Sequence, residues 1–195
     1  MEAWRRDGDH VVAVLPQHEA LLVRALVTQI KDMLQERAAS APRDELAALT
    51  GIRTGHTTAP EDPILARLLP DYHRLDGADG AEGNTAELAD SAAALRSLRE
   101  PELIDHKTGV AGVVLRTCSP EGGTIRLTLE EAEAWLSALN DVRLAFGVAL
   151  DITEDTPDVL PPDDPRAPQL ELYHWLTWMQ ERLVQALWGG DDELP

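Results

Sequence analysis

The residues of this chain that could carry chemistry are few and widely spaced. Six histidines occur, His10, His18, His56, His73, His106 and His174. None lies four residues from another, and no His-x-His or HExxH pattern brings two imidazoles to one metal. Asp71, His73 and Asp76 come nearest to a ligand set, but an acidic loop with one histidine does not make a site, and no metal or cofactor is expected. The stretch TGIRTGH at 50–56 invites a phosphate-loop reading. It lacks the Gly-Lys-Ser/Thr ending and a preceding strand, so it reads as a turn with Gly51 ending a helix. No Gly-x-Ser-x-Gly elbow or Cys-His nucleophile pattern is present, and no catalytic residue is assigned. An enzyme reading would need titratable groups converging in a pocket around His56 or His73.

Four other residues stand out. Cys118 is the lone cysteine, which excludes an internal disulfide and a thiolate metal cluster. It follows a helix C-terminus, where the negative end of the dipole raises a thiol pKa. A reactive thiolate is therefore not expected. The turn after it reads as exposed, which leaves an intermolecular disulfide open and makes Cys118 the candidate redox residue. Asn140 and Arg143 lie on or beside the apolar face of the longest helical stretch, 128–150. They form either an internal polar pair, since buried polar groups must be partnered, or a polar spot in a binding groove. Trp178 reads as edge packing or as an exposed anchor for a protein partner.

The charge balance limits the partners. Lys and Arg number 17 against 35 Asp and Glu, a formal charge of -18. Phosphate backbones and anionic lipid are held by clustered Lys and Arg, and only Arg5 and Arg6 adjoin, so neither nucleic acid nor membrane is expected. No apolar run reaches the ~20 residues that span a bilayer. MEAWRRDGDH at the N-terminus has no apolar core of a signal peptide, and a cytoplasmic protein is expected.

The elements that must position these residues follow from pattern. HVVAVL at 10–15 is β-branched and short, a strand. After Pro16 an amphipathic helix runs to about Arg37, with Val23, Val27, Ile30 and Leu34 on one stripe. Short helices are expected at 42–49 and 64–69. Another covers 85–99, with Leu88, Ala92, Leu95 and Leu98 inward, and breaks at Pro101, which opens the next helix. TIRL at 124–127 alternates like a strand and can pair with 10–15. Thr128 and Glu131 form a capping box opening a helix to Gly147, in which Trp135, Leu139 and Val142 keep helical spacing. An acidic, proline-rich connector at about 151–168 precedes the last helix, 170–188. The expected fold is mostly α: one domain, 1–195, a bundle of about seven helices with a two-stranded β-ribbon and a mobile acidic loop at about 74–85.

Several longer stretches carry a resemblance. WLSALNDVRLAFGVAL at 135–150 and YHWLTWMQERLV at 173–184 closely resemble an actinobacterial family long carried as a domain of unknown function. PRDELAALTGIRTGH (42–56), DPILARLLPDYHR (62–74) and ALRSLREPELIDHK (94–107) extend the likeness over nearly the whole chain. Members are typically encoded beside the Clp adaptor ClpS and a sulfur-carrier-dependent cysteine synthase set, and the family includes an actinomycete oxidative-stress regulator. The resemblance implies a non-enzymatic cytosolic regulator acting by protein contact, binding a stress-response sigma factor and raising cysteine biosynthesis under oxidative stress. An adaptor for Clp-type proteolysis or sulfur-carrier-dependent cysteine synthesis is the alternative, and a homo-oligomer is compatible with either. The redox-sensing cysteine pair that the family implies does not transfer to a chain with Cys118 alone.

Overall fold

The computed structural model describes residues 2–42, 51, 53–71, 85–161 and 163–189. Three strands and five helices lie in this span: β1 (Glu2–Asp7), β2 (His10–Leu15), α1 (Gln17–Ala39), α2 (Pro63–Leu68), α3 (Thr85–Thr117), β3 (Gly123–Thr128), α4 (Leu129–Ala149) and α5 (Ala167–Trp188). The expected helix at 42–49, the loop at 74–85, His73 and Asp76 fall wholly or mainly outside the described residues. The chain divides into two compact units, one of Met1–Lys31 with Gly109–Pro195 and one of Asp32–Thr108.

In the first unit a three-stranded antiparallel sheet in the order β1-β2-β3 replaces the expected ribbon of two strands. β2 and β3 pair from His10 with Thr128 to Leu15 with Gly123. The extra strand is β1, joined to β2 through the two-residue loop Gly8-Asp9, with Asp7 opposite His10. Gly8 has φ +58, a backbone conformation that tight hairpin turns require. β2 is the central strand, and Val11, Val12, Ala13 and Leu15 are all buried. Gly122 leads into β3 at φ +73, and a Cβ there would stand 2.6 Å from Leu15 O and Gln17 N. Only glycine permits that passage.

Helices α4 and α5 pack on each other, α5 against β1 and α4 against β3 and β2. The capping box opens α4 as expected: Glu131 N–H donates to Thr128 Oγ1 at 3.2 Å, and Thr128 N–H donates to Glu131 Oε2 at 3.0 Å. Trp135 is fully buried. It meets Trp4 of β1 edge-to-face, with ring centroids 5.3 Å apart, a geometry favoured by the ring quadrupoles. Its Nε1 donates to Thr117 Oγ1 at 2.7 Å. Leu170, Leu176, Met179 and Leu183 bring the inner face of α5 to this core.

The second unit corrects the helix count. The stretches expected as two helices meeting at Pro101 form one, α3, with Pro101 inside it. A proline there supplies no N–H to the carbonyl four residues earlier and would normally break the helix. That carbonyl belongs to Ser97, and Gly55 N–H donates to it at 2.7 Å. A Cβ on Gly55 would lie 3.0 and 3.1 Å from the ring carbons of Pro101. The 53–56 loop thus sits on the proline and supplies the missing donor.

The face of α3 turned inward here also differs from expectation. Leu98 is exposed, whereas Arg96 (3%), Glu100 (1%) and Ile104 (4%) are buried. Arg96 Nη1 donates to Glu100 at 2.9 Å and its Nη2 to Asp71. Arg37 of α1 donates to the other oxygen of Glu100 at 2.8 Å. Burial works against the Arg96 charge, but Asp71 and Glu100 outweigh it and the net pKa shift is upward.

Candidate functional site

Cys118 follows the end of α3, and although the turn after it is exposed at Ser119, Pro120 and Glu121, the residue itself is 1% accessible. Arg24 of α1 binds the backbone here. Its Nη1 lies 2.6 Å from the carbonyls of both Leu115 and Cys118, so a guanidinium satisfies the end of α3 where a glycine cap would otherwise stand. The sulfur is left 3.9 Å from Ala20 O. Burial pushes the thiol pKa up, and the nearby Arg24 charge only partly offsets this. The nucleophilic thiolate is disfavoured.

Asn140 and Arg143 both face α5 from α4. Gln180 Nε2 donates to Asn140 Oδ1 at 3.4 Å. Arg143 lines a groove of about 330 Å³ with Thr177, Gln180, Glu181, Val184 and Gln185. Its Nε is buried and has no hydrogen-bond partner among the described residues. Beside the groove Trp178 is 39% exposed, and Trp188, near the end of the same helix, is 77% exposed. Sequence patterning placed Trp178 off the apolar face of α5 but did not single out Trp188.

Around His56, titratable groups do gather. A cavity of about 110 Å³ is lined by Arg53, His56, Glu100, Pro101, Ile104 and Asp105, among others. Each charge there is already committed. Arg53 pairs with Asp105, Glu100 is held by Arg37 and Arg96, and His56 Nε2 lies 3.0 Å from Arg37 O and 3.2 Å from Ser40 Oγ. His106 and His18 are exposed elsewhere, and among the described residues no three His, Cys, Asp or Glu side chains are grouped to hold a metal. Asp71 pairs with Arg96. No helix among the described residues is long and apolar enough to cross a membrane.

The buried Arg37–Glu100–Arg96 cluster escaped sequence reasoning, which treats acidic residues in a strongly acidic chain as solvated. Its signal was the four-residue spacing of Arg96, Glu100 and Ile104, which puts all three on one helical face.

Comparison with known proteins adds the family. Residues 1–187 match the model of the domain of unknown function DUF2017. The oxidative stress regulator AosR of Mycobacterium tuberculosis (strain ATCC 25618 / H37Rv) is 44% identical over 186 residues, covering 95% of this chain and 85% of the relative. The protein of that name from Mycobacterium bovis (strain ATCC BAA-935 / AF2122/97) gives the same figures. A Mycobacterium leprae (strain TN) relative is 41% identical over 189 residues, covering 94% of this chain and 87% of the relative. No solved structure matches the chain. The chain belongs to the DUF2017 family.

Proposed function

We propose that this chain is a regulator in the oxidative-stress response that works by protein contact rather than by catalysis. Its partner is a stress-response sigma factor, and the outcome is increased cysteine biosynthesis. The observation that carries the reading is the 44% identity, over 95% of the chain, to proteins named oxidative stress regulator AosR. The arrangement of side chains is in keeping with it. The charges around His56 are mutually paired, while the α4–α5 face offers exposed tryptophan, a residue type that dominates binding energy at protein interfaces. An acidic protein of charge -18 can influence transcription through a DNA-binding partner without touching DNA.

The test is purification of a tagged full-length chain from its native host, with and without peroxide. Recovery of a sigma factor with the chain, enriched after peroxide, is expected. Recovery of no transcription component under either condition sinks the reading, and recovery of a Clp component or a sulfur carrier in its place makes the chain an adaptor.

A further inference from the structure

We infer that the groove at Arg143 is the docking site for an amphipathic helix of a protein partner, a helix that sets a carboxylate against Arg143 and covers Trp178 and Trp188 with apolar side chains. This deepens the reading of the chain as a contact regulator and rests on it. The first observation is an uncommitted charge. Arg6, Arg24, Arg37, Arg96 and Arg182, which like Arg143 are buried or half-buried, each have acceptors. Arg143 is half-buried, its Nε is shut away with no acceptor among the described residues, and no carboxylate pairs with it there although Glu181 lines the same groove. A guanidinium half-withdrawn from water with no counter-ion is costly to keep, and a carboxylate set beside it in the groove offsets that cost through its charge.

The second observation is the pair of exposed indoles. Trp178 and Trp188 are 39% and 77% accessible and ten residues apart on α5. At helical rise they stand about 15 Å apart, within about 80° of arc. Glu181 and Gln185 fall inside that arc and Thr177 and Val184 within about 40° of its edge, so the groove lies alongside the line between the two indoles. A second helix laid along α5 meets such a surface with side chains at i, i+3, i+4 and i+7. The charges set the rest of its chemistry. Arg143 calls for a central acidic residue, and Glu181 with the overall charge of -18 calls for basic residues flanking it.

The experiment selects helix-forming peptides from a displayed random library on the immobilised full-length chain. The enriched peptide is then titrated by fluorescence anisotropy against wild type, Arg143→Met, Trp188→Ala and the surface control Arg67→Met. Enrichment of a central Asp or Glu among Leu, Ile, Phe or Met at helical spacing is expected. Affinity should fall about tenfold or more in both groove variants and stay unchanged in the control. Trp188 is so exposed that its variant keeps the fold and the test open if Arg143→Met does not. No enriched peptide, or one indifferent to both groove variants, overturns the inference. So does sedimentation showing that the wild-type chain self-associates through Arg143, which makes a second copy the occupant. The host purification separates the two levels. A sigma factor recovered equally by wild type and both groove variants defeats the groove and leaves the regulatory reading standing. A peptide that binds as described while no host transcription component is recovered does the reverse.

Discussion

Replacing Gly55 by alanine tests whether the 53–56 loop is what keeps α3 continuous through Pro101. An alanine Cβ would stand 3.0 Å from Pro101 Cδ and 3.1 Å from Cγ, well inside the roughly 3.5–4.0 Å of an ordinary carbon contact. Either the ring shifts or the loop withdraws and surrenders the 2.7 Å bond to Ser97 O, which leaves that carbonyl without its donor. Overpacking costs about 1–3 kcal/mol, and the lower entropy of an unfolded chain with alanine returns about 0.4–1 kcal/mol. The net expectation is a loss of about 1–2 kcal/mol. In a Pro101→Ala background both causes vanish, because the ring is gone and residue 101 regains an N–H for Ser97. There Gly55→Ala should be neutral or stabilising, giving a coupling of about 1–2 kcal/mol in the double-mutant cycle. Urea denaturation of the four proteins, followed by circular dichroism, measures it. Equal losses from Gly55→Ala in both backgrounds would refute the account of Pro101.

The buried Glu100 holds two guanidinium groups, so Glu100→Gln should cost about 3–5 kcal/mol and lower Tm by roughly 6–20 °C in thermal unfolding. Asp7 is exposed and pairs with Arg126 at 2.5 Å; the hydrogen bond and charge of Arg126 hold its carboxyl below the usual value. A depressed carboxyl stabilises the fold above its unfolded pKa, near 4, and loses that contribution as pH falls through the folded pKa. Asp7→Asn should therefore lose that contribution at neutral pH and flatten the acid limb of a stability-versus-pH series below about pH 4, where the two proteins converge. Cys118, 1% accessible, should react with an aromatic disulfide reagent at least about a hundredfold more slowly in the native protein than in denaturant. Its raised pKa keeps the folded thiol protonated where the unfolded one ionises, so stability should fall as pH rises above about 8.5, and Cys118→Ala should remove that fall.

What could be read from sequence followed the strength of each local signal. The Thr128–Glu131 capping box was legible because both partners lie within four residues, β2 because it is a short β-branched apolar run and β3 because it alternates. β1 was missed although Asp7-Gly8 marks a hairpin turn, because Glu2–Asp7 is rich in charged residues and, of Trp4 to Asp7, Trp4 alone is buried. Pro101 was read as a break because the donor that rescues the helix, Gly55, is 46 positions away and leaves no mark in the local pattern. The inward turn of Arg24 left no local mark for the same reason: its partners, Leu115 and Cys118, lie more than ninety residues on. In the candidate groove, Asn140 and Arg143 were legible as polar residues on or beside an apolar face, and Trp178 as a bulky residue at the edge of its helix. Their juxtaposition required the pairing of α4 with α5.

The burial of Cys118 bears on how a regulator of this kind could receive an oxidative signal. A chain with one cysteine cannot close an internal disulfide, and a bond to a second chain requires the sulfur to reach the surface. Two contacts of 2.6 Å from Arg24 fasten the backbone on either side of that requirement, at Leu115 O and Cys118 O. Hydrogen bonds to a charged group contribute about 1.5–3 kcal/mol each, so an opening that breaks both is populated at roughly one part in a hundred or less before any apolar surface is exposed. Within that opening the thiol still has an ordinary pKa and is mostly protonated at neutral pH. The two factors multiply, and oxidation at Cys118 becomes a slow event that follows local unfolding rather than a fast sensing step. For the proposed regulator, a fast oxidative signal would therefore act on the partner or on the amount of the chain rather than on its thiol.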